Sequence, residues 1–524
     1  MRTPHRSLLV LSAVAAATAG LLVAPSSAGV SPATTTNACI TSVPDPDAPT
    51  TPQKICYTLF KPAGADAKHQ VPVIFHSHGW GGSRTTTASS FAGWLKDGFA
   101  VLSFDQRGFG EDGGKARVEN PAYEGKDVMK LVDLVAKLPW VKLDSKGDPR
   151  LGAIGGSYGG GYQFVGAFTE LMTKGKPVFD ALAPQITWYD LKESLAPQDV
   201  PRTEWSSALT AAGARSLPNE VLEGFVQSSA TGMWAKGQVP GGPDLDKFFF
   251  KNGPKWHVSQ GRHLNIPVLF GQGETDNLFP LHQGLENWAS ALTPSARSRS
   301  IFVGYNGGHT LPAVMPRGYP DPNPSAAIGG VTADPCSKQL GGGTFDELAR
   351  RFMREKLLGQ HTGLKGYGLY HLATADSACV TVSSVEGKKL YNLGTVATPE
   401  AAGGPVGFKI ADGPIRIAGT PYLAGQMTAV GVNNRAFYAL GVGTNPADVQ
   451  IVQNNMLPFN SEGPVLADQR TIELPSVAVD VPKGKSLFLV VSAVSDMFAG
   501  FGSRTPGAIV IDQATVNLPV VHIG

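Results

Sequence analysis

The sequence predicts an α/β domain on a mostly parallel sheet, followed by an all-β domain. Three observations carry this. Short apolar runs alternate with helical segments: "VPVIFHSHGW" (71–80), "FAVLSFDQRGFGEDGG" (99–114), "RLGAIGG" (150–156), "IPVLFGQGETD" (266–276) and "RSIFVGYNGGH" (299–309). Buried strands separated by helices imply a sheet covered on both faces. After about residue 370 the helical period lapses into short β-rich runs broken by Gly, Pro and Asn, such as "SVAVDVPKGKSLFLVVSAV" and "AIVIDQATVNLPVV", which read as a sandwich or jelly roll. The chain, at 524 residues, also exceeds one compact core.

The N-terminal elements are expected to stand apart from the fold. Arg2, His5 and Arg6 precede an apolar and small-residue run from Leu8 to Val23, and "APSSAG" follows. This is the pattern of a secretory signal peptide over residues 1–28, cleaved after Ala28. The run is short for a retained anchor, so no stable membrane insertion is expected after cleavage. Residues 29–53, rich in Pro, Thr, Ala and Asp, read as a flexible leader. The whole chain has 44 basic and 42 acidic residues, and losing Arg2 and Arg6 leaves 42 of each. A composition of 42% hydrophobic and 16% charged residues suits a globular protein with a modestly charged surface, and suits neither a disordered tail nor a nucleic-acid binder.

The α/β domain is expected over residues 54–370. Val128, Leu131, Val132 and Val135 have helical spacing within 124–138. Between about 188 and 262 the sheet pattern lapses, and Trp188, Trp205, Trp234 and Trp256 fall among helical segments. An insertion before a late strand would lie over the strand ends as a lid. Thr344 and Glu347 form a capping box before "FDELARRFMREKLL", which Gly359 stops. Residues 371–524 make the β domain. Cys39, Cys56, Cys336 and Cys379 suit disulfides in an exported chain; proximity in sequence pairs Cys39 with Cys56 and Cys336 with Cys379. Their spacing does not favour zinc.

Ser157 in "LGAIGGSYGGGYQF" carries the chemistry. An apolar strand runs into Gly155-Gly156-Ser157-Tyr158-Gly159 and a helix follows, the context of a nucleophile elbow in an α/β-hydrolase fold. A serine hydroxyl needs a histidine base held by a carboxylate, in the chain order Ser, acid, His. Of the 11 histidines, His309 lies downstream in a glycine loop after a strand, with Asp276 between, also after a strand. Glu274 is a rival acid and His282 a poor rival base. Tyr158 and Trp80 are expected to supply the backbone N–H donors of an oxyanion hole. His76 and His78 lack a third metal ligand, and His78 is read as shaping its loop. Asp105 with Arg107 is read as a loop-bracing pair. Trp188, Tyr189 and Asp190 on the insertion edge are candidate substrate contacts, with Glu193 and Glu204 as further acids for a substrate amine.

"HGWGG", "DQRGFGEDGG", "GGSYGGGYQF", "GETDNLFP" and "GGH", followed by an all-β tail, resemble the Xaa-Pro dipeptidyl-peptidase-like (S15) and CocE/NonD hydrolases. The resemblance covers most of the mature chain. It implies an α/β-hydrolase with a C-terminal jelly-roll domain and a Ser157–Asp276–His309 triad, working on a small peptide or ester without metal or cofactor. The expected function is that of a secreted serine hydrolase cleaving peptide bonds in the dipeptidyl-peptidase manner. A CocE-type carboxylic ester hydrolase and a non-catalytic envelope-binding protein are the alternatives.

Overall fold

The computed structural model describes residues 33–311, 318–320, 329–399, 404–504 and 507–521; the expected signal peptide, residues 1–28, lies outside them. The N-terminal α/β region holds an 11-stranded sheet, which runs past the boundary expected at residue 370 as far as Val382. Its strands are β1 Thr34–Ser42, β2 Gln53–Lys61, β3 Val73–Ser77, β4 Ala100–Phe104, β5 Leu151–Gly156, β6 Phe179–Gln185, β7 Leu269–Gly273, β8 Ile301–Gly308, β9 Gly330–Ala333, β10 Tyr370–Ala373 and β11 Cys379–Val382. They lie in the order β1-β2-β4-β3-β5-β6-β7-β8-β10-β11, with β9 pairing β8. The run from β4 through β10 is parallel, and β1, β2, β9 and β11 join antiparallel.

Apolar strands form this sheet because helices cover both faces. Phe75, Leu102, Leu151 and Ala153 turn toward Val128, Leu131 and Val132 of α1 (Glu124–Val135) and Phe164 and Phe168 of α2 (Tyr158–Lys174). Ile74, Val101, Ile154 and Leu269, of alternate parity within their strands, face Phe91, Trp94 and the helix α3 (Phe345–Leu358). The Thr344 hydroxyl caps that helix at Glu347 N, and Gly359 ends it in the left-handed region.

The expected flexible leader is corrected by the structure from residue 34 onward. β1 pairs with β2 along its full length, with Cys39 opposite Cys56. The following residues are pinned by charge, for the fully buried Arg107 donates to Asp45 and Asp127. Polar composition misread a segment whose acids neutralise buried guanidiniums. The expected Asp105–Arg107 pair is corrected likewise: Asp105 pairs with Arg84.

Both disulfides join the expected partners, Cys39–Cys56 and Cys336–Cys379. The insertion between β6 and β7 is helical, including the helices Thr203–Gly213 and Asn219–Thr231. The region after β11 is β-rich, forming several sheets. It grips the insertion: Arg435 Nη2 donates to Gly232 O at 2.7 Å, Arg202 lies 5.1 Å from the Phe498 ring centroid, and Val200 packs among Phe437, Met456 and Met497.

Candidate active site

Each residue of the expected Ser–Asp–His set follows a parallel strand. Ser157 occupies the turn from β5 into α2 with φ 57° and ψ −123°, a state side chains avoid. Hydrogen bonds hold it there: Ser157 N donates to Gln185 O at 2.9 Å, and Ser157 O accepts from Gly160 N and Gly161 N. Glycine is required on both sides. A Cβ on Gly155, where φ is 143°, would lie 2.5 Å from Gly159 O, and one on Gly159 would lie 2.4 Å from Ser77 O. The turn thereby presents the hydroxyl at the strand end.

The structure brings Ser157, His309 and Asp276 together. His309 Nε2 lies 2.8 Å from Ser157 Oγ, and His309 Nδ1 lies 2.6 Å from Asp276 Oδ2. Asp276 is fully buried, yet both oxygens are satisfied. Oδ1 accepts from Leu278 N at 3.0 Å and Phe279 N at 2.7 Å, and Oδ2 also accepts from His309 N at 3.0 Å. With a carboxylate at Nδ1, the neutral imidazole carries its proton there and offers a lone pair to Ser157. The rings of Phe279 and Trp205 meet His309 edge to face at 5.1 and 5.8 Å. The rival residues stand elsewhere. Glu274 is buried beneath Gly304, and burial holds its carboxyl well above the usual range. His282 is 3.9 Å from Glu473, and burial pushes its pKa down to about 4.

Tyr158 N–H lies in the first turn of α2, where no intrahelical acceptor exists. Trp80 lies in a tight turn closed by Gly82 N to Gly79 O at 3.0 Å. That turn borders Ser157, since a Cβ on Gly79 would lie 3.8 Å from Ser157 Cβ. His78 shapes it: Nδ1 donates to Gly79 O at 2.8 Å and Nε2 accepts from Gln106 N at 3.1 Å. Burial lowers its pKa and keeps it neutral. Among the described residues no group of three His, Cys, Asp or Glu side chains is placed to hold a metal.

Ser157 opens onto a cavity between the strand ends and the insertion. Its walls are Trp80, Val118, Tyr158, Trp188, Leu191, Leu195, Leu209, Leu217, Val221, Phe225, Phe249, Leu278 and Phe279, so no charged side chain lines it. Behind Tyr158 lie Glu119, Glu124 and Asp127. Burial, then mutual repulsion, pushes Glu124 up to about 7 and Glu119 well above the usual carboxylate range.

Of the expected substrate contacts, Trp188 is in the wall, its indole donating to Asn252 O at 2.7 Å. Tyr189 and Asp190 are outside that wall and line surface grooves instead. Asp190 is occupied: it pairs with Lys255 at 2.7 Å and caps the helix Leu191–Leu195 at Glu193 N. Glu193 and Glu204 are also absent from the cavity wall. Sequence reasoning missed Trp205 and Phe279 beside His309. Phe279 had a signal, standing three residues after the acid in "TDNLFP"; Trp205 reaches the site through the insertion and had none.

The model of the X-Pro dipeptidyl-peptidase (S15 family) matches residues 53–310. An uncharacterized 31.7 kDa protein of Escherichia coli is 32% identical over 121 residues, which is 23% of this chain and 40% of that protein's length. Among solved structures, a CocE/NonD family hydrolase from Staphylococcus aureus superposes with TM-score 0.60 at 12% identity, covering 93% of this chain and 97% of that one. An α-amino acid ester hydrolase superposes with TM-score 0.62 at 13% identity, again over 93% and 97% of the two chains. At such identities the structural likeness carries the fold alone.

Proposed function

We propose that the chain is a serine hydrolase of the S15/CocE–NonD kind, a reading supported by the family model over residues 53–310, and that it hydrolyses esters with an uncharged, apolar acyl group through an acyl-enzyme on Ser157. The observation that carries the ester reading is the cavity at Ser157, which has no charged wall residue. Ser157 Oγ attacks the acyl carbonyl and passes its proton to His309 Nε2. Asp276 orients the ring and stabilises the imidazolium. The N–H groups of Tyr158 and Trp80 receive the oxyanion. Collapse expels the alcohol, which takes the proton from His309. Water, deprotonated by His309, then releases the acid.

Release of dipeptides after proline is a second reading, favoured by the family model over residues 53–310. An apolar wall suits a proline ring, but this reading needs an acid for the free amine, and Asp190 is engaged with Lys255. Export is proposed from the apolar N-terminal run together with two disulfides. No helix of the described residues is long and apolar enough to cross a membrane.

The test compares kcat/KM on p-nitrophenyl butyrate and Ala-Pro-p-nitroanilide, with Ser157→Ala as control. Ester turnover lost in the variant supports the ester reading. Faster anilide turnover would replace it with dipeptide release. Activity surviving in Ser157→Ala would overturn the nucleophile. Folded wild type that neither turns over substrate nor takes a fluorophosphonate at Ser157 would be a binding protein.

A further inference from the structure

The C-terminal β-rich region reaches into the machinery of the first domain through the loop 453–455. Gln453 and Asn454 both adopt left-handed backbone, with φ 50° and 55°, and all of Gln453, Asn454 and Asn455 are buried. Left-handed conformation at consecutive non-glycine residues costs energy and persists only where surroundings impose it. Here the side chains are aimed across the domain boundary. Asn455 Nδ2 donates to the backbone carbonyl of Asp276 at 3.3 Å. Gln453 Nε2 donates to Ala373 O at 2.9 Å and lies 3.3 Å from Asn306 Oδ1, while Gln453 Oε1 accepts from Ala478 N at 3.0 Å. Asn306 is on β8, three residues before His309. One loop thus touches both the turn that carries the acid and the strand that delivers the base.

We propose that Asn455 and Gln453 are positioning residues for the Asp276–His309 pair, so that the β-rich region is a working part of the active site. This rests on the triad reading above. Asn455 fixes the acid turn through its carbonyl, leaving the Asp276 carboxylate to Leu278 N, Phe279 N and His309. Gln453 ties the end of β8 to β10 and to the β-rich region. Neither residue lines the cavity wall, so their loss acts on the reacting geometry and leaves substrate binding intact.

The experiment uses the full mature chain with Asn455→Ala, Asn455→Asp and Gln453→Ala. Asn455→Asp keeps the volume while removing the donor, and serves if the alanine variant does not fold. Ser476→Ala is the control, because it breaks a 2.7 Å hydroxyl contact to Thr420 inside the β-rich region. Readouts are kcat and KM on p-nitrophenyl butyrate, the pH profile of kcat/KM, the fluorophosphonate labelling rate and Tm. The expected result is a roughly tenfold or greater fall in kcat, with KM within about twofold, a matching fall in labelling and a displaced pH profile. Normal kcat in the folded Asn455 and Gln453 variants overturns the inference. An equal fall in Ser476→Ala also overturns it, as that would be a general loss of stability. Activity persisting in Ser157→Ala would instead overturn the underlying triad.

Discussion

Asp276 and His309 are joined twice, because one carboxylate oxygen accepts both the His309 ring Nδ1–H at 2.6 Å and the His309 backbone N–H at 3.0 Å. The other oxygen accepts Leu278 N and Phe279 N. Asp276→Asn cannot serve all four donors. If its carbonyl takes Leu278 and Phe279, its amide faces two N–H groups of His309. The ring must then shift its proton to Nε2, where it blocks acceptance from Ser157. Kcat should fall about 10⁴-fold, with a much smaller change in KM. Steady-state kinetics on a soluble ester check this, and a loss under tenfold would contradict the assigned tautomer.

Gly159→Ala places a methyl 2.4 Å from Ser77 O. The obstacle is backbone in β3, which cannot rotate away. Strand and helix must separate at the elbow, at a cost of roughly 1–3 kcal/mol, and Ser157 moves with them. Thermal unfolding should show a lowered Tm, and labelling of Ser157 by a fluorophosphonate should slow by more than about tenfold.

Phe225 lines the cavity and packs against Trp234 and Phe249. Phe225→Ala should lengthen the acyl pocket, so kcat/KM on p-nitrophenyl octanoate should rise relative to butyrate by about tenfold. The same variant should lose roughly 3–5 kcal/mol of stability, measured by denaturant titration at saturating pH control.

The parallel strands, the elbow turn and the meeting of Ser157, Asp276 and His309 were legible because each is written locally. A strand needs only its own apolar run, and Gly155 and Gly159 flank Ser157 within five residues. The charged clusters were not legible. Asp45 reads as part of a polar leader until Arg107, 62 residues away, is placed against it. Asp190 reads as an exposed acid until the helix it caps is known. Asn455 lies 179 residues from Asp276, and nothing near it in sequence marks the contact.

Arg107 is held by Asp45 and Asp127 with none of its side chain exposed. Arg107→Met leaves two buried carboxylates without their cation, and stability should drop by about 3–5 kcal/mol. Asp45→Asn, which removes one of the two anions, should cost less. Urea unfolding of the three proteins checks the ranking.

His257 stacks on Phe168 and accepts from Arg262 Nε at its Nδ1. Burial, with Arg262 nearby, pushes its pKa down to about 3. The unfolded chain takes up a proton near 6.5 that the folded one refuses until far lower. Its contribution is therefore present above pH 6.5 and is lost as pH falls toward 3. Between pH 7 and 4 wild type should lose up to about 3 kcal/mol relative to His257→Gln. Tm measured for both across that interval should converge, and parallel curves would contradict it.

The insertion over Ser157 is bolted from the far side, by Arg435 to Gly232 and by Arg202 against Phe498. The cavity roof and its supports therefore belong to different halves of the chain. A change at Arg435 or Phe498 would therefore reach the cavity roof without touching a single residue that reacts.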